Sequence, residues 1–267
     1  MGRQISDEEV RKLELEILIK FAEYCEKYHL RYFLAYGTLI GAIRHKGFIP
    51  WDNDVDVVMP RPDYNRFMQL IKDENIGEYF RVLDYHDVKT FPFAKVVDNR
   101  TKLSERFLIT DTLGIYIDVF PMDGLPDDER KRKKIEKKVA VYYKLYAFTN
   151  YRFNEGSTKL KKIIKNIMYP FSRIISSRWI CEKLNKLCEK YSFDQSKFVT
   201  NIVWGYLPSE CISKEVFESS DKCEFEGHFF NIPVGGGKWL NRIYGDYMKL
   251  PPEEERIIHY FEAEWKD

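Results

Sequence analysis

The sequence predicts an α+β fold: a mixed β-sheet core with flanking helices, followed by a helical basic region and a mixed C-terminal segment. Three observations carry that expectation. Apolar residues recur at helical spacing near the N-terminus, and a period of two sets in from residue 79. From Asp127 to Lys190 the chain turns helical and strongly basic. At 267 residues and 44% hydrophobic content, it is long enough for one sizeable domain or two small ones with a packed core.

Taken in order, Leu13, Ile17, Leu18, Phe21, Ala22 and Cys25 fall on one helical face, so residues 6–29 read as an amphipathic helix begun by Ser6 or Asp7. "RYFLAYG" follows as a short strand whose unbroken apolar run asks for cover on both faces. Gly37 and Thr38 open "TLIGAIRHKG", a short helix closed by Gly47. "DVDVVM" is the next strand, and Pro60, Pro62 and Asp63 start a helix through "YNRFMQLIKDE". "YFRVLDY", "FAKVVD", "KLSERF" and "GIYIDVF" alternate as strands. Beyond a boundary near Pro126, "ERKRKKIEKKVAVYYKLY" is one helix. The segment "KLKKIIKNIMYPFSRIISSRWICEKL" sets Leu160, Ile163, Ile164, Ile167, Met168, Phe171, Ile174 and Ile175 on one stripe, interrupted at Pro170. From Asn201, short strands around "CEFEGHFFNIPV" mix with two helical pieces, "GKWLNRIYG" and "PPEEERIIHYFEAEW". The chain therefore divides into residues 1–126 and 127–267.

Composition excludes several classes of function. Lysine plus arginine (43) nearly balances aspartate plus glutamate (42), so no global field argues for nucleic acid. The five cysteines (Cys25, Cys181, Cys188, Cys211, Cys223) are odd in number and contain no C-x-x-C pair, which speaks against a disulfide framework or a zinc site and for a reducing, cytoplasmic compartment. No secretion signal and no segment of roughly 20 apolar residues is read.

The stretch "PWDNDVDVVM" spaces Asp52, Asp54 and Asp56 two apart and then runs into valines. An EF-hand loop starting at Asp52 would need glycine at its sixth position and glutamate at its twelfth, where this chain has Val57 and Asp63. On a strand, Asp54 and Asp56 share a face. Two carboxylates on a half-buried strand repel unless one is protonated, a cationic side chain intervenes or a divalent ion binds. A solvated edge is the bland alternative, and the three large apolar residues that follow favour the metal site. Upstream, the backbone N–H groups at Gly37-Thr38 and the Thr38 hydroxyl are suited to a phosphate. Downstream, Asp118 lies between apolar neighbours on another expected strand. It is read as a third ligand or, alternatively, as a buried acid paired with a cation.

The run "YGTLIGAIRHKGFIPWDNDVDVVMPRPDYNRF" resembles the signature of the LicD family, the phosphorylcholine transferases related to fukutin, within the nucleotidyltransferase-fold superfamily. "KVVDNRT", "GIYIDVFPMDGLP" and, more loosely, "YGDYMKLPP" resemble further family segments. The resemblance implies a nucleotidyltransferase-like catalytic core in residues 1–126, with residues 127–267 completing the acceptor side. Where the family often has aspartate, this chain has Asn53, whose side chain would point away from Asp54 and Asp56 on a strand.

The implied reaction moves phosphocholine, or a related phospho-alcohol, from CDP-choline or another CDP-alcohol to a sugar hydroxyl of a cell-surface glycan such as a teichoic acid precursor, releasing CMP. One or two Mg2+ ions (or Mn2+) on Asp54, Asp56 and Asp118 would clamp the diphosphate. Arg44, Lys46 and Lys95 would add positive charge, with ordinary surface charge as the plainer reading for each. His45 is read as a proton shuttle or a solvent-facing histidine, and the base as Asp118 or Asp98. A quaternary ammonium calls for aromatic faces, for which Tyr36, Trp51 and Tyr116 are candidates, each equally readable as a packing residue. The basic stripe from Arg130 to Lys165 reads as a solvated face or as a peripheral dock on an anionic inner leaflet, where a lipid-linked acceptor would lie. Two rival activities are a nucleotidyltransferase that moves the nucleotide itself and an Asp-x-Asp glycosyltransferase. Only 53 residues precede Asp54, which is short for the nucleotide-binding half of the latter.

Overall fold

The computed structural model describes residues 2–88, 91–104, 113–150, 153, 157–204, 207–256 and 262–266. It is a mixed α/β structure in which a curled sheet carries helices on its faces.

Helix α1 (Asp7–Lys27) begins at a capping box: the Ser6 hydroxyl accepts from the Glu9 N–H while the Glu9 carboxylate accepts from the Ser6 N–H. Its apolar stripe, from Val10 to Cys25, is buried. Strand β1 (Phe33–Leu34) is only two residues long, because helix α2 (Tyr36–His45) starts earlier than the expected Gly37-Thr38. Lys46, not Gly47, takes the left-handed conformation that ends α2, at φ 56°. Strand β2 (Asp56–Pro60) follows, with Val57, Val58 and Met59 wholly buried, and Pro60 leads into α3 (Arg61–Leu70).

Strands β3 (Phe80–Leu83), β4 (Ala94–Asp98), β5 (Thr101–Ser104) and β6 (Tyr116–Leu125) match the expected period-two segments, though β6 is longer. The end of "KLSERF" lies outside the described residues. The principal sheet runs β1-β2-β6-β4-β3, with β2 and β6 parallel and the other neighbours antiparallel.

Helices α4 (Glu129–Thr149), α5 (Lys159–Ser172) and α6 (Ser177–Cys188) form the basic region. The stripe expected on α5 is helical and faces one way, but it points to solvent: Leu160, Ile163, Ile164, Ile167, Met168 and Phe171 are all exposed. Strand β7 (Phe198–Thr200) returns to pair with Asp123–Leu125 of β6. Past helix α7 (Leu207–Glu210), strand β8 (Ile212–Ser213) pairs with β7. The chain beyond residue 127 thus extends the sheet that holds the acids.

Strands β9 (Ser220–Phe225) and β10 (His228–Pro233) make a hairpin, and α8 (Gly236–Tyr244) buries Trp239 against Tyr36 and Phe217. The C-terminal piece expected as a helix is not one where it is described. Residues 253–255 form a single 3-10 turn, and β11 (Glu262–Trp265) is a strand paired with β5. Trp265 and Ala263 alternate with glutamates, and that period of two is the strand signal the helical reading passed over. Residues 257–261 lie outside the described residues.

Candidate active site

The two acidic segments meet in the sheet. Asp56, the first residue of β2, stands directly opposite Asp118 of β6, and Lys95 of β4 stands opposite Asp118 on its other side. Residues opposite one another in a ladder share a face, so two carboxylates and one ammonium are drawn up in a row across three strands. Lys95 Nζ donates to Asp118 Oδ1. The lysine is buried, flanked by Phe91 and Phe93, and its Nζ lies 3.5 Å from the ring centroid of Tyr116, two residues along β6 on the same face. Tyr116 is therefore in the row, with Lys95 against its face.

The approach to β2 is fixed from two sides. Thr38 is buried, and its hydroxyl accepts from the Asp56 N–H at 2.8 Å and donates to the Asp54 carbonyl at 3.5 Å. That hydroxyl ties α2 to the acidic segment, so its hydrogen bonds are already committed to the backbone of Asp54 and Asp56. On the other side, Arg11 of α1 donates to Asn53 Oδ1 (2.9 Å) and to the Pro50 carbonyl (2.7 Å). Asn53 thus faces Arg11; it and Asp54 precede β2, which begins at Asp56 and not at the expected Asp54, so strand alternation does not set their directions. Gly37 is a glycine because a Cβ there would lie 2.8 Å from Asp52 Oδ2.

The cluster holds more acid than the sequence reading assigned. Asp52 is half-buried and hydrogen-bonds to the Asp54 side chain, while its Oδ1 has no hydrogen-bond partner among the described residues. Glu14 of α1 is buried, its Oε2 without a hydrogen-bond partner among the described residues, and it lines a small cavity with Tyr116. Burial, and then the charges of Asp54 and Asp52, raise its carboxyl well above the usual range. Burial likewise raises Asp56, with Asp54, Asp118 and Asp52 adding to the effect and Lys95 opposing it. The sequence signal for Glu14 was available: it is an acid four residues from Val10 and four from Leu18, inside the apolar stripe of α1.

Other expected site residues are placed apart from this row. Asp98 lies three residues along β4 from Lys95, hence on the opposite face, and is fully buried against Arg100, whose Nη2 reaches it at 2.6 Å. Tyr36 is buried, with its ring against Phe120 and Trp239 and its hydroxyl donating to Glu210. Lys46 is exposed and pairs with Glu224 of the hairpin at 3.3 Å. Arg44 is half-buried, donating to the Tyr247 carbonyl at 2.6 Å and, through Nε, to His45 Nε2 at 2.9 Å. His45 is accordingly neutral on that nitrogen, and burial with Arg44 alongside pushes its pKa down. Trp51 lies edge-on to His45 and beneath the Arg256 guanidinium at 4.5 Å.

Among the described residues, no three acidic, histidine or cysteine side chains converge closely enough to grip an ion as they stand. The donor set nevertheless suits a hard divalent cation. It is all oxygen, it crowds half-buried carboxyls around one lysine, and among the described residues Asp52 Oδ1 and Glu14 Oε2 have no hydrogen-bond partner.

Comparison with known proteins gives the chain relatives. A family model described as LicD/FKTN/FKRP, nucleotidyltransferase domain, matches residues 29–155, which contain Asp54, Asp56, Lys95 and Asp118. Over 257 residues the chain is 34% identical to the lipopolysaccharide cholinephosphotransferase LicD of Haemophilus influenzae, covering 93% of each protein. Shorter matches join it to uncharacterized proteins of Rickettsia prowazekii (36% identity over 83 residues, 27% of this chain and 31% of that one) and Rickettsia typhi (38% over 64 residues, 24% and 21%).

Proposed function

The chain belongs to the LicD family, and from that premise we propose that it is a phosphotransferase carrying phosphocholine, or a related phospho-alcohol, from a CDP-alcohol to a sugar hydroxyl of a cell-surface glycan. The observation that carries the proposal is the row Asp56, Asp118 and Lys95, set in register on three adjacent strands inside the segment shared with the family. CDP-choline is the donor we favour. The acceptor is a lipid-linked glycan such as a lipopolysaccharide or teichoic acid precursor, met at the inner face of the membrane by a protein that works in the cytoplasm.

Asp54, Asp56 and Asp118 would hold one or two Mg2+ ions, with Mn2+ as the alternative. Asp52 and Glu14 stand close behind them. When bound, such an ion offsets the charge of the diphosphate oxygens. The chain's own groups do the rest. The α2 N-terminus presents N–H groups to a phosphate. Lys95 holds a buried positive charge on the same face as the acids, where it balances charge building on the leaving CMP. Tyr116 walls that face and limits water. The acceptor oxygen attacks the phosphorus that bears choline, the bond from that phosphorus to the bridging oxygen breaks, and CMP departs with the electron pair. The hydroxyl proton passes to a carboxylate of the row. Asp118 is the carboxylate we favour for that role, because Asp98 is clasped by Arg100 on the far face.

Incubation of the protein with CDP-choline, Mg2+ and a glycan acceptor tests the reading, with the products followed by mass spectrometry. Free CMP with phosphocholine on the acceptor is expected. CMP attached to the acceptor would replace the reading with nucleotidyl transfer, and turnover of UDP-sugars alone would replace it with glycosyl transfer.

A further inference from the structure

We propose that α5 is an in-plane anchor that seats the protein on an anionic phospholipid bilayer. This assigns the membrane contact of the preceding reading to a defined surface; it rests on that part of the reading and not on the transfer chemistry.

Helix α5 is oriented inside out. A helix packed on a globular body normally buries its apolar stripe and wets its polar face. Here Leu160, Ile163, Ile164, Ile167, Met168 and Phe171 are 38–67% exposed, while Ser172 is buried and Lys165, Asn166 and Tyr169 are partly covered. At 100° per residue the six apolar side chains span an arc of roughly 140°, and the covered residues lie opposite it. A contiguous apolar face left outward in this way marks a surface meant to be covered.

Charge identifies the cover. From Gly156 to Cys181 the sequence contains no aspartate or glutamate, while Lys159, Lys161, Lys162, Lys165, Arg173 and Arg178 fall within it. Lys159 and Lys161 flank the two edges of the apolar arc and are exposed. An apolar stripe rimmed by lysine is the pattern of a helix lying at the headgroup boundary, with its stripe in the acyl region and its lysines among phosphates. Among the described residues no helix is long and apolar enough to cross a membrane, so the contact is interfacial. A second copy of the chain fits less well. A two-fold interface through this stripe would set the lysine rims of both copies against each other.

Vesicle flotation tests the assignment, using phosphatidylcholine mixed with phosphatidylglycerol against phosphatidylcholine alone, at low and high salt. The protein is expected to float with the anionic vesicles and to be released by salt. Binding should fall by about tenfold or more in the Ile163→Ser/Ile167→Ser variant and in the Lys159→Glu/Lys161→Glu variant. Both variants change exposed residues and should keep the parent melting temperature and the parent rate of CMP release toward a soluble acceptor. Wild-type protein that stays unbound, or variants that float as well as wild type, would overturn the proposal. So would a wild-type dimer that Ile163→Ser/Ile167→Ser dissolves while vesicles are ignored. Absence of CMP release with vesicle binding intact would reject the transferase reading and leave the anchor standing.

Discussion

Asp56 and Asp118 stand side by side in register on parallel strands, and Lys95, opposite Asp118 on the other side, brings positive charge to the pair. Parallel pairing of β2 with β6 puts the two carboxyls on one face, and the valines that follow each acid enclose the strands below them. Burial and the neighbouring acids raise the Asp56 carboxyl, so this pair is held against its own electrostatic preference.

That opposition separates chemistry from stability. Asp56→Asn keeps the shape and removes charge from a crowded site. Turnover is expected to fall by about two to three orders of magnitude, the scale on which a preorganised electrostatic group acts, while the melting temperature holds or rises. CMP release and thermal unfolding on the same preparation check this. An active variant would remove Asp56 from the mechanism.

Divalent cations should stabilise the protein through the same acids. At a hundred times its dissociation constant, a ligand that binds only the folded state adds about 2.7 kcal/mol. Mg2+ is therefore expected to raise the melting temperature and a chelator to reverse it, with sodium chloride at equal ionic strength as the control for screening. The shift should vanish in the Asp56→Asn/Asp118→Asn double variant. An equal shift in that variant would place the ion elsewhere.

The scaffold behind the site depends on a different pair. Arg61 at the start of α3 grips Asp123 of β6 with two hydrogen bonds, of 2.6 and 3.0 Å, and also donates to Asn185 of α6. The pair is buried and joins the first half of the chain to the basic helices. Asp123→Ala leaves the guanidinium uncompensated and is expected to cost about 3–5 kcal/mol. The double variant Arg61→Met/Asp123→Leu should recover most of it, as measured by urea unfolding.

How much of this was legible in the sequence depends on the range of the signal. Helix and strand periods located α1, β2, β4, β6 and the hairpin, and acids two apart before a valine run marked Asp54 and Asp56 as unusual. Strand order was not legible: nothing local says that Asp118 pairs with Asp56 in place of some other residue of β6, since register comes from packing over 60 residues of intervening chain. The roles given to Asp98 and Tyr36 shifted for the same reason. Arg100 competes for Asp98, and the positive φ of Tyr36, 46°, turns its ring into the core between Phe120 and Trp239. The outward face of α5 was hidden too, because periodicity reports that a stripe exists and not which way it points.

The network behind Tyr36 gives a pH prediction with a definite sign. Glu210 is buried at the end of α7, accepting from the Tyr36 hydroxyl at 3.0 Å, while Asn201 donates to that hydroxyl at 2.9 Å. Burial pushes the Glu210 carboxyl up to about 8, outweighing the hydrogen bonds from Tyr36 and the Asn201 backbone, which favour the charged form. Below the ordinary glutamate pKa both the folded and the unfolded chain carry the proton, and Glu210 costs nothing. As pH rises toward 8 the unfolded chain ionises first, so stability falls by roughly 1.4 kcal/mol per pH unit; above 8 both forms are ionised and the full loss, about 5 kcal/mol, remains. Glu210→Gln preserves the acceptor for Tyr36 and cannot ionise. It is expected to match the parent at pH 4 and to exceed it at pH 9, read as the difference between their urea midpoints at each pH. Because the other buried acids are common to both proteins, that difference isolates Glu210. Parallel curves across the range would mean that its carboxyl titrates normally and that the contact with Tyr36 is made by an ionised group.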